Sequence, residues 1–490
     1  MLSSAELSWL IEPGVFCICY NITMLNDSAH SFIRIFKWFI LATLVGLVVG
    51  VLDAAFLKLL DVAIGTRNTV PAFYVLLPFG LYAVALLSRK IAKQHKDYST
   101  DAVIKCINAG KSVSLWSAAK TFVLSICTMT LGGSVGKEAP CADVGAGISS
   151  FVARLLRLSA QDQRKMMICG VSAGFAGVFG VPVSGALFGL EVLWVGHVFY
   201  EVMFPALIAG ITAFGVTSYL GVNYLYHPLA FAAVFSEQFF LKVIVAGLFF
   251  GLVSILFIEI NKLVRILLRL VTLRSGLFMT CMVGGVVLVL IGYFSSPLYL
   301  GLGMAGIDGP LSGAALESPL GFLYKMLATA ITLAAGGIGG LITPIFFVGA
   351  QAGAALADFL QVDSATLAAL GLVSVLAGTA NTPLAASIMA IELFGAEIAP
   401  YATVACVISF LVTGRESIFP HQRISWDSGK MTEETSSKSY NGPERRGVAK
   451  FSYHTSSATQ ARHHLKRFLS GRAARRAAIE QGRQRTQKRK

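Results

Sequence analysis

Two stretches of this sequence, one in each half, repeat the same pattern of backbone-special residues. In GVSAGFAGVFGVPVSGALFGLE, Gly170 is followed after 12 residues by Pro182 and after 9 more by Glu191; in GLVSVLAGTANTPLAASIMAIE, Gly371, Pro383 and Glu392 stand at the same two spacings. About forty residues upstream of each copy lies a glycine-rich turn with a proline at the start of an apolar helix. The first reads GGSVGKEAPCADVGAG, ending near Gly147, and the second GGIGGLITPIFFVGAQ, ending near Gln351. A chain that repeats itself in this way folds as two related halves.

The residues around the repeats place both halves in lipid. With 55% hydrophobic residues, 13% charged residues and a mean hydropathy of +0.70, the chain lies outside the range of soluble globular proteins. Apolar segments cover residues 36–60, 73–87, 115–130, 166–195, 202–220, 241–260, 277–294, 323–335, 345–360, 367–380, 388–394 and 399–412. Several are too short, or too interrupted by Gly and Pro, to cross a bilayer as one straight helix, which takes about 20 apolar residues. Backbone that stops being helical at membrane depth is tolerated only where protein or a polar cavity satisfies its N–H and C=O groups. Duplicated halves with breaks at matching positions therefore point to a substrate site near the bilayer midplane, where the copies meet. The expected fold is an all-α polytopic bundle with an inverted two-repeat plan. Residues 33–422 make the membrane domain, in halves of about 33–222 and 236–420, with a cytoplasmic or interfacial lead-in over 1–32 and a tail over 423–490.

Charge sits at one end. From His421 to Lys490 there are 17 Lys or Arg against 5 Asp or Glu, a local +12 within a total of +14. Following the last apolar segment, such a tail is expected in the cytoplasm. It reads as a solvated extension, with anionic lipid as the sharper alternative partner and no nucleic-acid role. The 8 cysteines are scattered through apolar segments with neither metal-ligand spacing nor a disulfide framework, and read as packing residues. The first 30 residues lack the layout of a cleaved signal peptide. The histidines stand mostly outside the apolar segments and form no metal pairing there, so neither an enzyme nor a bound cofactor is expected. Few carboxylates besides Glu138 and Asp143 lie near the expected site, which argues against a cation-coupled symporter.

The chemistry of the turns favours an anion. A helix that begins at membrane depth presents unpaired N–H groups and the positive end of its dipole, and glycine lets an ion come close to the backbone. Two such ends make a site of partial charges that can bind an ion and still release it. Inside the first turn lies a carboxylate, Glu138, beside Lys137 and two residues before Pro140. One reading makes it an acid stabilised by the helix dipole and Lys137. The other seats the carboxylate in the anion's own place, so that it blocks the path when ionised and swings away when protonated.

At these residues the sequence resembles the CLC family of chloride channels and chloride–proton exchangers. Gly136-Lys137-Glu138-Ala139-Pro140 is similar to the family's GREGP signature, and Gly340-Leu341-Ile342-Thr343-Pro344 to its GxFxP signature. The likeness extends from about Phe36 to Gln422 and includes GVPVSGALFGLEVL and a terminal SIFPHQ. It implies a homodimer with one anion pathway per subunit in a cell membrane, the inner one in a bacterium, and no cofactor. It also implies that Glu138 is the gating glutamate, flanked at the anion by Gly136, Lys137, Ala139 and Gly340. The backbone N–H groups of Leu341 and Ile342 would face the anion.

Three departures bear on mechanism. Where the family has GSGIP, about forty residues before Glu138, this chain reads Asp97-Tyr98-Ser99-Thr100-Asp101, leaving Ser99 or Tyr98 to supply a hydroxyl. The family's inner tyrosine aligns with Phe419, so an inner gate here would be steric. Exchangers of the family carry an internal glutamate directly after the position of Glu191, and that place is Val192. Passive chloride conduction is therefore favoured over proton-coupled exchange, with fluoride-selective transport as a further alternative. Glu191 is read either as a substitute proton group or as a buried structural acid like Glu392. The chain ends without the paired nucleotide-binding CBS domains of larger family members, so nucleotide regulation through them is not expected.

Overall fold

The computed structural model of the chain describes residues 13–424, apart from 71, 92–98, 197, 198, 225, 227 and 229–235; the side chains of 13–31, 68, 90, 91 and 99 lie outside that description. Along these residues run fifteen α-helices. The first half holds α1 (Pro13–Asn68), α2 (Leu77–Ile91), α3 (Ser99–Asn108), α4 (Leu115–Thr130), α5 (Glu138–Leu155), α6 (Ala160–Phe179), α7 (Pro182–Glu191) and α8 (Tyr200–Tyr219). The second holds α9 (Glu237–Phe294), α10 (Ala305–Leu311), α11 (Gly321–Ala334), α12 (Ile342–Leu360), α13 (Ser364–Ala380), α14 (Pro383–Phe394) and α15 (Ala399–Thr413). A two-residue parallel pair, β1 (Trp194–Val195) with β2 (Arg423–Ile424), ties the end of the bundle to the segment after α7.

The repeat is visible element by element: α4 to α8 have their counterparts in α11 to α15. In each copy a helix ends on a glycine of positive φ, Gly132 at 95° and Gly336 at 104°, a conformation glycine adopts without steric cost. Pro182 and Pro383 start α7 and α14, where a missing N–H costs nothing. These two helices have 10 and 12 residues, or about 15 and 18 Å at 1.5 Å per residue, against a hydrocarbon core of about 30 Å. They are the broken helices that the sequence requires, and they pack on each other where the halves meet.

Close backbone approach fixes how each half is packed. A Cβ on Gly145 of α5 would collide with the carbonyl of Gly170 on α6, and one on Gly349 of α12 with that of Gly371 on α13. The same crossing thus occurs twice, and only glycine permits it. Five helical stretches among the described residues are long and apolar enough to cross a membrane: Phe32–Arg67, Tyr200–Tyr219, Glu237–Phe294, Ile342–Leu360 and Ala396–Thr413. Their outward faces expose Phe36, Ile40, Leu241, Leu248, Leu252 and other large apolar side chains, as a lipid-facing surface requires. Gly276, at φ 80° and ψ 178°, breaks α9 into two apolar arms, which accounts for the two segments read there from sequence.

Helix α1, Pro13–Asn68, joins part of the expected lead-in over residues 1–32 to the first apolar span. The basic tail, from residue 425 on, lies outside the described residues.

Candidate functional site

The two glycine-rich turns meet back to back. Gly136 and Gly340 form an antiparallel bridge in which each N–H donates to the other's carbonyl at 2.8 Å. The contact is reinforced by a symmetric exchange of threonines. Ser134 N–H donates to Thr332 Oγ1 and Ile338 N–H donates to Thr128 Oγ1, both at 3.1 Å. Thr128 and Thr332 occupy matching places in α4 and α11, so each half caps the other's turn. Non-helical backbone at this depth is thereby satisfied by protein, as lipid demands.

Glu138 stands in the first turn of α5, 2% exposed. Its carboxylate does not stay on its own helix. Oε1 accepts the Ile342 N–H at 2.6 Å, and Oε2 accepts the Thr343 N–H at 3.3 Å and the Thr343 hydroxyl at 2.9 Å. The carboxyl group is therefore seated on the N-terminus of α12, where two amide donors and the helix dipole converge and favour its charged form. Gly136 and Gly340 flank it so tightly that a Cβ on either would strike the carboxyl group.

Lys137 and Ala139 adjoin Glu138 along the chain, and Leu341 adjoins Ile342. Lys137 is the N-cap residue of α5 and partly buried; its backbone N–H donates to Thr343 Oγ1 at 3.4 Å, and its ammonium is within electrostatic reach of Asp61 and Glu138. Ala139 is the buried second residue of α5. Leu341 is the N-cap of α12, and the amides that hold the carboxylate are those of Ile342 and Thr343. Thr343 was missed. The signal for it was a hydroxyl between Ile342 and Pro344 in the first turn of an otherwise apolar helix.

At the far side of the expected path, Ser99 is the first residue of α3, and Tyr98 lies outside the described residues. Phe419 is 1% exposed and packs in the same apolar cluster as Leu341 and Ile342. Val192 is buried, with 0% exposure. Glu191 accepts the N–H groups of Leu384 (3.1 Å) and Ala385 (2.9 Å) at the start of α14, while Glu392 accepts those of Val183 (2.8 Å) and Ser184 (2.9 Å) at the start of α7. The two acids are reciprocal caps across the junction of the halves.

Comparison with known proteins decides the family. Residues 79–414 match the sequence model described as "Voltage gated chloride channel". The chain belongs to the CLC family of voltage-gated chloride channels and transporters. A chloride/fluoride channel protein of Pseudomonas syringae pv. tomato is 37% identical over 397 residues, covering 79% of this chain and 86% of the relative. The voltage-gated ClC-type chloride channel ClcB of Escherichia coli O17:K52:H18 is 25% identical over 358 residues, 69% of this chain and 84% of its own. Among solved structures, a CLC-type fluoride/proton antiporter superposes with a TM-score of 0.74 at 25% identity, covering 80% of this chain and 99% of the antiporter. A slow cyanobacterial chloride/proton antiporter shares the fold, with a TM-score of 0.70 at 18% identity and coverage of 78% and 96%. This CLC chain is thus a multi-pass integral membrane protein of an anion-transporting family.

Proposed function

We propose that this CLC protein passes chloride and fluoride passively along a path that the Glu138 carboxylate closes. The observation that carries the reading is the seat of that carboxylate, on the N-terminus of α12 between Gly136 and Gly340. A free halide has the same sign and seeks the same amides, so anion and side chain compete for one place. Protonation removes the charge that holds the side chain there and yields the place to the ion. The seat is assembled from Gly136, Lys137 and Ala139 on one half and Gly340, Leu341 and Ile342 on the other, with Thr343 as a further donor. Ser99 or Tyr98 would meet the anion nearer the inner end, and Phe419 would narrow the path there by bulk alone. Residues 33–422 form the conducting domain, the chain works as a homodimer in the cell's inner membrane, and the tail over 423–490 faces the cytoplasm.

Passive flow is supported by Val192, which carries no proton where exchangers of the family have a carboxylate, and by Glu191, whose oxygens are both spent on α14. The relative from Pseudomonas syringae bears the name of a chloride/fluoride channel, which supports both the mode and the two ions. A second reading, proton-coupled exchange, is favoured by the likeness to a fluoride/proton antiporter over 99% of that chain. Purified protein in liposomes separates them. Under a chloride or fluoride gradient with internal pH recorded, passive flow leaves protons where they are. Uphill proton movement that disappears in Glu138→Ala sinks the passive reading and establishes exchange.

A further inference from the structure

The segment that leaves α15 is strapped across one end of the bundle. Ile418 N–H donates to Thr379 O at 2.9 Å, Gln422 Nε2 to Ala380 O at 2.9 Å, and Arg423 N–H to Leu193 O at 3.1 Å. Between these ties sits Phe419, the residue read above as the inner constriction. A further tie is of a different kind, because both its side chains can carry charge. Asp101, in the first turn of α3 and 2% exposed, accepts the His421 N–H at 2.9 Å through one oxygen and pairs with His421 Nδ1 through the other. Asn108, at the end of the same helix, donates to His421 O and to Leu193 O at 3.1 Å each. The short helix α3 thus holds the strap two residues past Phe419, beside the place where Val192 stands instead of a carboxylate.

We propose that Asp101 and His421 are positioning residues for the inner constriction: protonation of His421 fastens the strap to α3, holds Phe419 in the path and slows the anion. The inference rests on the reading of Phe419 as lining that path. With a neutral imidazole the Asp101 carboxylate accepts from an uncharged donor, whereas an imidazolium adds the attraction of opposite charges to the same contact. The side chain of His421 is 28% exposed, so it can exchange protons with solvent while Asp101 stays buried. On the same helix as Asp101, Cys106 lies within electrostatic reach of Lys105, of Lys111 just beyond its end and of Asp143 on α5. Arg423 donates to Asn108 O at 2.8 Å and lies over the Trp194 ring at 5.5 Å. Glu416, at the start of the strap, is paired with Lys262.

The sign distinguishes this device from the gate at Glu138. Acid opens the glutamate and tightens the strap. The test is halide efflux from liposomes as a function of pH in the Glu138→Ala background, where the first effect has been removed. Efflux should fall about fivefold on acidification, as the contact between imidazole and carboxylate becomes an ion pair. Adding His421→Gln, or Asp101→Asn, should flatten the profile, and so should Phe419→Ala with His421 intact. A flat profile already in Glu138→Ala overturns the inference. So does a His421→Gln curve shifted as a whole without change of shape, which is what a merely structural tie would give, or a pH response that survives Phe419→Ala. If wild type and Glu138→Ala share one pH profile, the glutamate gate fails while the imidazole test stands unaffected.

Discussion

At the scale of residues, the site is a contest for a few donors. Glu138 is held by two backbone amides and one hydroxyl of α12. Glu138→Gln keeps the size of the protonated acid and removes the charge, so efflux at pH 7 should rise to the level that wild type reaches only in acid; unchanged efflux and an unchanged pH profile would contradict the gate. Thr343→Val should act in the same direction and more weakly. A hydrogen bond to a charged group is worth about 1.5–3 kcal/mol, so efflux at neutral pH should rise at least about tenfold and converge with wild type in acid, where the carboxyl no longer competes. Glu191 and Glu392 are read here as clamps between the halves. A glutamine has one acceptor oxygen where each clamp uses two, and it turns an amide N–H₂ toward a backbone N–H. Glu191→Gln and Glu392→Gln should each cost about 1–3 kcal/mol, measured as a lowered unfolding midpoint in detergent, with the pH dependence of efflux left in place.

At the scale of elements, the glycines decide which helices can touch. Gly349→Ala would push a Cβ into the backbone of α13 at Gly371 and should destabilise by about 1–3 kcal/mol. Gly215→Ala, on α8 with open space around it, should be neutral or stabilising by about 0.5–1 kcal/mol. Equal effects at the two positions would mean that the crossing of α12 and α13 is not set by contact. What was legible beforehand follows the same division. Glycines, prolines and a carboxylate in an apolar run state their demands on backbone and charge by their own identity, so the repeat, the broken helices and Glu138 could be read directly. Thr343 could not be, since a threonine at a helix start is equally at home without a partner. Nor could the clamps: the partner of Glu191 lies 194 residues away at Ala385, and that of His421 lies 320 residues away at Asp101. Such pairings are created by the fold and leave no local spacing.

At the scale of the whole molecule, both halves of the anion seat come from one chain. Gly136 with Glu138 and Gly340 with Ile342 are brought together by intrachain hydrogen bonds. In the proposed dimer each subunit would therefore hold its own proposed path and gate, with no residue of the seat lent by a partner. The consequence can be measured with dimers that pair one wild-type subunit with one Glu138→Ala subunit, purified through two different tags. If the paths are independent, the pH profile of halide efflux for the mixed dimer is the plain average of the two parental profiles at every pH. If a path were shared across the interface, removing one carboxylate would alter both routes, and the mixed dimer would follow one parent or depart from the mean. An averaged profile places the functional unit in the single duplicated chain. A departure from it would mean that the gate at Glu138 is coupled between subunits through contacts outside the seat.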